Sequence, residues 1–392
     1  MLRLLTAGES HGPALTAILD GVPAGLHLSS AVIDEELARR QRGDGSGARM
    51  KIEHDRVQIV GGVLEGATTG APIALLIRNL DHPRWQGEAV EPMTKPRPGH
   101  ADLTGAVKYG YRDLRLASER ASARETAARV AAGAICKHFL AQFGIRIGGY
   151  VVSIGTVVAD LGDMTYEDRL VQAEQSPVRC PLDTAAADMQ AAVERAIRAK
   201  DTLGGEIEIV SLHVPVGLGS FMQWDARLDA QLARAVMSVQ AIKGVAIGDA
   251  FANARLVGSQ AHDAIVVDSS HTILQRPTNR AGGIEGGVSN GNPILVRAAM
   301  KPIATTLTPQ STVDLATRQD AVTAYERSDF CPVPRAVPIL EGMVALVLAD
   351  ALMAKLGGDS MQEMLPRFAS LRTAALDDLS MEDSPHVLWE SE

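Results

Sequence analysis

Thr6-Ala7-Gly8-Glu9-Ser10-His11-Gly12-Pro13 follows a short apolar run, residues 1–5, that reads as a strand. Its histidine stands at the mouth of a glycine-rich turn, where a missing Cβ lets backbone and ligand approach closely. A second glycine-flanked histidine occurs in Arg97-Pro98-Gly99-His100-Ala101-Asp102. A third polar cluster, Glu326-Arg327-Ser328-Asp329, lies near the far end. Imidazole titrates near neutrality and can give or take a proton. Two such histidines, with arginine and aspartate close by in sequence, have the parts of an acid–base site that handles an anion. His27, His54 and His138 lack that context and read as hydrogen-bonded structural residues.

Composition supports an anion site inside an acidic protein. The 392 residues are 46% hydrophobic but only 4% aromatic, so the core is aliphatic. The net charge of −9 argues against nucleic acid as a partner. It is unevenly spread, because residues 1–150 carry 19 Lys/Arg against 16 Asp/Glu. Arginines cluster at Arg39, Arg40, Arg42 and Arg49, and again from Arg97 through Arg112, Arg115, Arg120 and Arg124. A guanidinium fork matches phosphate and carboxylate, whereas a solvated basic face would have the same composition. The three cysteines, an odd number without metal-ligand spacing, fit a reduced cytoplasmic protein. Cys136, on an apolar helical pattern, reads as a core thiol.

The chain has no P-loop, no third glycine of a dinucleotide fingerprint after Gly217-Leu218-Gly219, and no HExxH, CxxC or GxSxG pattern. No metal site is expected. The longest apolar run, residues 339–352, contains Glu341 and Asp350 and reads as a buried helix, not a membrane span.

Helices are expected over 31–42 with Ser30 as N-cap, and over 118–143, 183–200, 225–242 and 338–356. Strands are expected over 57–62, 72–78, 148–159 and 205–216, with 79–98 and 160–181 as loops. No stretch reads as a domain linker, so 1–360 is taken as one domain and 361–392 as a partly ordered tail. Glu65-Gly66 to Pro72-Ile73 resembles Glu285-Gly286 to Pro293-Ile294 with a one-residue slip. An ancient duplication and a coincidence of turn chemistry would each produce that echo.

Three further groups suit anion binding. Ser122-Ala123-Arg124-Glu125-Thr126, read as lying near a helix start, offers free N–H groups beside Arg120 and Arg124. Lys301-Pro302-Ile303-Ala304-Thr305 places a lysine and hydroxyls around a rigid turn. Arg327 and Asp329 share a face if extended, so the arginine could hold an anion and keep the aspartate ionised. Local capping and plain ion pairs are the structural alternatives at these places.

With Arg40-Gln41 through Arg49-Met50, Gln223-Trp224-Asp225 and Gly282-Gly283-Ile284-Glu285-Gly286-Gly287, these motifs resemble those of the chorismate synthase family over residues 1 to about 350. The resemblance implies an α+β fold, a β-α-β sandwich with antiparallel sheets enclosing helices, and a homotetramer. It implies anti-1,4-elimination of phosphate from 5-enolpyruvylshikimate 3-phosphate to give chorismate, with reduced FMN and no net redox change. Carried over by motif, His11, His100 and Asp329 are catalytic. Ser122, Ala123, Arg124, Gln240, Ala241, Gly286, Lys301, Pro302, Ile303, Ala304, Thr305 and Arg327 would contact FMN. Ser10, Arg40, Ser46, Arg49 and Arg97 would contact substrate or NADPH. Ser46 stands where family members often have arginine, and Phe330 where they have proline. The electron source stays open between NADPH bound by this chain and a separate flavin reductase. Another FMN-dependent enzyme acting on a phosphorylated carboxylate and a non-catalytic flavin-binding subunit are the competing readings.

Overall fold

A computed structural model describes residues 1–45, 54–324 and 329–388. The first part of the chain forms β1 (Arg3–Ala7), β2 (Ala14–Asp20), α1 (Ser30–Gln41), β3 (Val57–Gly61), β4 (Ile73–Arg78), α2 (Asp102–Tyr109), α3 (Arg115–Ala121) and α4 (Thr126–Ala141). There follow β5 (Arg146–Ile154), β6 (Val157–Val158), α5 (Tyr166–Gln175), α6 (Asp183–Arg198), β7 (Gly205–Leu212), α7 (Leu228–Met237) and β8 (Ile242–Ile247). The last are β9 (Ile294–Met300), α8 (Val333–Leu356) and α9 (Met361–Ala369).

Two antiparallel sheets organise these elements, one in the order β1-β2-β4-β3 and one in the order β8-β9-β7-β5-β6. Strand alternation gives each sheet an inner apolar face. In β2, Leu15, Ala17 and Leu19 are buried while Ile18 is exposed. The buried faces meet helices: α4 packs on β2 and β4, and α8 on β5 and β7. The α4–α8 pairing is the most extensive helix contact. It is close because a Cβ on Gly133 of α4 would lie 2.4 Å from Gly342 Cα of α8. Glycine at both positions lets the two backbones touch.

The apolar run at 339–352 lies within α8, which starts at Val333 and ends against Gly357. By length and composition α8 is the one helix among the described residues that could cross a membrane, and 78% of its most apolar window is buried in the protein. Its fully buried Glu341 accepts from Arg39 Nη1 and Nη2 at 2.7 and 3.0 Å and from Lys137 Nζ at 2.7 Å. These bonds tie α1 and α4 to α8 and explain a carboxylate inside an apolar helix. Cys136 is indeed a core residue, and burial pushes its thiol up to about 12.

Four sequence expectations need correction. The helix expected over 118–143 is two helices, interrupted at Ser122, whose ψ of 141° is extended. The loop expected over 160–181 contains α5, capped by Thr165 accepting from the Asp168 N–H. The polar composition of α5 hid it, because its apolar contacts with the second sheet come from Tyr166, Leu170 and Ala173 and the rest from Arg169, which donates to Tyr150 Oη. The helix expected over 225–242 is shorter: a turn at Trp224–Ala226, then α7, then β8 starting at Ile242. Ser29, not Ser30, is the N-cap of α1. The 65–73 and 285–294 echo corresponds to two tight hairpins, turning through Glu65-Gly66 and Gly286-Gly287 with positive φ, each followed by a strand.

Candidate active site

β1 ends at Ala7, and Gly8, with a φ of 106°, turns the chain out before it re-enters as β2. A Cβ there would strike Ala14 O at 2.4 Å, so glycine is required. The projecting turn carries Ser10 and His11 onto α3. The Ser10 N–H donates to Glu119 O at 3.1 Å. The His11 N–H donates to Glu119 Oε2 at 2.7 Å, and His11 Nδ1 lies 2.6 Å from Glu119 Oε1. The Trp85 ring covers the imidazole at a centroid distance of 4.3 Å. Asn79 Nδ2 braces the turn by donating to Glu9 O and Gly12 O.

The second histidine reaches the same helix from another loop. Asp102, fully buried at the start of α2, accepts from Arg97 N–H, Nε and Nη2 at 3.1, 2.7 and 2.8 Å. His100 Nδ1 lies 2.5 Å from Asp102 Oδ1. A carboxylate only accepts, so that nitrogen carries the proton and the approach of Arg97 Nη2 at 3.1 Å is a contact, not a second bond. Arg97 Nη2 also donates to Ser118 Oγ at 2.7 Å. Consecutive residues of α3, Ser118 and Glu119, therefore hold the two histidine-bearing loops.

The break at Ser122 completes the arrangement. Ser122 Oγ accepts from the Arg124 N–H and donates to Ser10 Oγ at 3.1 Å. The carbonyl of Ala123 accepts from Arg40 Nη2, and Thr126 Oγ1 accepts from Arg40 Nε, both at 3.0 Å. Arg124 turns inward to Asp55 and Asn79, donating at 2.7, 2.8 and 2.8 Å. Arg120 donates to Thr6, so neither arginine side chain is held solely for a phosphate in the way the sequence implied. Lys301 Nζ donates to Gly99 O at 2.9 Å, bringing the Lys301–Thr305 segment against the His100 loop. Gln240 Nε2 donates to Glu125 Oε2 at 3.3 Å, beside Thr6 and Arg129. Asp329 accepts from Arg335 Nη1, and Arg335 Nε donates to Arg40 O at 3.2 Å.

The structure thus gathers Ser10, His11, Arg40, Arg97, His100, Ser122, Ala123 and Arg124 around residues 115–126, with Gln240, Lys301 and Asp329 joined to their surroundings. Gly286 is exposed at the turn of a largely buried hairpin whose bonds run to Gly219, Leu228 and Arg276. Ser46, Arg49 and Arg327 lie outside the described residues. Sequence reasoning missed Glu119, Asp55, Asn79 and Arg335, and gave Asp102 no role. An acid two places after His100 was a usable signal for Asp102. Glu119 lies 108 residues from His11 and gave none.

Electrostatics favour an anionic guest. Burial would raise the Asp102 carboxyl, but the hydrogen bonds from Arg97 and His100 outweigh it and hold it far below the usual range. Burial would likewise raise the Glu119 carboxyl, but the bonds from His11 outweigh it and hold it below the usual range. Burial pushes Arg40 down to about 9 despite Asp55, so it is still a cation at neutral pH. Arg40 Nη1 faces Asp55 Oδ2 at 3.5 Å but, like the buried acceptor Gln240 Oε1, has no hydrogen-bond partner among the described residues. An anionic oxygen would satisfy the first and a ring N–H the second. A reduced flavin ring carries N–H donors and a phosphorylated substrate carries anionic oxygens, so Gln240 fits the flavin and Arg40 the substrate.

Two carboxylate-held histidines beside buried guanidinium groups, in a mixed helix-and-sheet fold with antiparallel sheets, define an acid–base enzyme for anionic substrates. The chorismate synthase family model matches residues 2–353. A protein named chorismate synthase from Chlorobaculum tepidum is 50% identical over 391 residues, spanning 95% of this chain and 98% of its own. One of that name from Aquifex aeolicus is 51% identical over 384 residues, spanning 94% and 96%. A solved crystal structure of chorismate synthase superposes with a TM-score of 0.77 at 45% identity, covering 94% of this chain and 96% of the other. The chain belongs to the chorismate synthase family.

Proposed function

We propose that this chain eliminates phosphate from 5-enolpyruvylshikimate 3-phosphate to form chorismate, a carbon–oxygen lyase reaction of the shikimate pathway. In that reaction one C–H and one C–O bond break. The C–H electron pair enters a new double bond, and phosphate leaves with the C–O pair. The observation that carries this reading is the convergence of His11 and His100, each on its own carboxylate, onto one helix next to Arg40 and Arg97.

Arg40 and Arg97, with Ser10, Ser46 and Arg49, hold the anionic substrate, and developing charge on the leaving phosphate is stabilised by guanidinium groups already fixed in place. His100, oriented by Asp102, protonates that phosphate or the substrate. Asp329, oriented by Arg335, accepts the C6 proton. His11, oriented by Glu119, exchanges a proton beside the flavin. Ser122, Ala123, Arg124, Gln240, Ala241, Gly286, Arg327 and the Lys301–Thr305 segment would hold reduced FMN. When bound, reduced FMN supplies an electron that is lent and returned. NADPH on this chain or a separate flavin reductase would supply the reduced form.

The same reading makes the protein a cytoplasmic homotetramer of chains with one catalytic domain, residues 1–360, and a tail. Its sheets and helices form a β-α-β sandwich, and the paired hairpin-and-strand units are traces of an internal duplication. Support comes from the packing of α4 and α8 on different sheets as well as on each other.

His11→Ala and His100→Ala test the assignment in an anaerobic phosphate-release assay with reduced FMN. Each lowers turnover by about a hundredfold or more while FMN still binds. Near-wild-type turnover in either variant removes that histidine from the chemistry.

A further inference from the structure

Glu119 makes three separate bonds to the two residues of the first histidine turn. Its main-chain carbonyl accepts from the Ser10 N–H at 3.1 Å. Its Oε2 accepts from the His11 N–H at 2.7 Å, and its Oε1 lies 2.6 Å from His11 Nδ1. The side chain is only 17% exposed, so water competes weakly for these bonds. It projects from α3, next to the Ser118 that holds Arg97.

We propose that Glu119 is a positioning residue for the reaction proposed above: it fixes both the place and the tautomer of His11, leaving Nε2 as the nitrogen that exchanges protons. An ionised carboxylate has no hydrogen to donate, so the proton at the Glu119 contact resides on His11 Nδ1. The Trp85 ring lies against the imidazole and further restricts its rotation. Only a carboxylate of this length meets both demands. Glutamine has one acceptor oxygen for two donors, and either amide orientation aims its NH2 at an N–H. Aspartate is one methylene short of the turn.

This role differs from that of Asp102. Asp102 is spent chiefly on Arg97, which makes three of its contacts. Among the described residues, the hydrogen bonds of the Glu119 side chain go to His11 alone. Losing Glu119 removes a counter-charge near Arg115 but should otherwise act through His11, leaving the bonds of Arg97 and Arg40 intact.

The test combines a spectrum with kinetics. In protein labelled with ¹⁵N-histidine, with His11 assigned by its loss in His11→Asn, the wild type should show the proton fixed on Nδ1. Glu119→Gln should lose that fixed signature. A wild-type His11 that carries its proton on Nε2 alone overturns the proposal, whatever the enzyme turns over. In the kinetic arm, Glu119→Gln should lower kcat about a hundredfold. Its affinities for FMN and substrate should stay within about threefold of wild type, and Glu119→Asp should fail to restore kcat. An unchanged kcat, or affinities that fall in proportion to kcat, overturns it. Should wild-type protein release no phosphate, the functional reading fails instead, and the spectral arm still decides the role of Glu119.

Discussion

Asp102→Asn removes one oxygen and one charge from the most densely bonded carboxylate of the site. Arg97 N–H and Nε converge on Oδ2 at 3.1 and 2.7 Å, while Arg97 Nη2 and His100 Nδ1 converge on Oδ1 at 2.8 and 2.5 Å. Asparagine keeps one acceptor, and in either orientation its NH2 faces two of those donors. Arg97 is itself buried and loses its counter-charge. Removing one partner of a buried ion pair costs about 3–5 kcal/mol. The bond to Ser118 survives, which places the expected loss near the lower end of that range. The pH dependence follows from the lowered carboxyl. Its contribution is in place above the unfolded value, about 3.9, and is lost as pH falls through the folded one. Urea unfolding at neutral pH measures the loss as a shifted midpoint with an unchanged slope. Turnover falls about a hundredfold or more, because His100 loses the acceptor that fixes its proton on Nδ1. A stability loss under about 1 kcal/mol with turnover near wild type would refute the reasoning.

Three further substitutions test other parts of the account. Glu341 is held down to about 2 because Lys137 and Arg39 outweigh burial, so its contribution is present above about 4.5 and is lost as pH falls from there. Glu341→Gln should be less stable by ~3 kcal/mol at pH 7, and its acid-unfolding curve should be shallower than that of wild type. Gly133→Ala places a methyl 2.4 Å from Gly342 Cα and should destabilise by ~1–3 kcal/mol despite the better helix propensity of alanine; a gain in melting temperature would contradict the close α4–α8 crossing. Arg40→Lys loses the fork that spans Ala123 O and Thr126 Oγ1, and should weaken phosphate binding by calorimetry about tenfold.

The sequence was most readable where one residue type has one use. Glycines around His11 and His100 marked turns because few other residues tolerate those backbone angles, and Gly8 and Gly99 do have positive φ. The arginine clusters left an anion site and a solvated face open, and the structure divides them: Arg40, Arg97 and Arg124 are buried while Arg112 and Arg120 are exposed. The long apolar run correctly implied a core helix, α8. Partnerships were less visible. Arg124 spends its fork on Asp55 and Asn79, and Asp329 pairs with Arg335, because tertiary folding, not spacing, chose those neighbours. The break at Ser122 is masked by the strong helix formers around it. Yet Ser122-Ala123-Arg124-Glu125 has the serine-to-glutamate spacing of a helix start. That spacing separates α3 from α4, but it carries no sign of the contact between Glu119 and His11.

The central claim is best tested by following phosphate and chorismate together in an anaerobic reaction of the purified protein with chemically reduced FMN and 5-enolpyruvylshikimate 3-phosphate. The account predicts equal release of both products with the flavin still reduced at the end. Flavin oxidised in step with product, or phosphate released without chorismate, would contradict it.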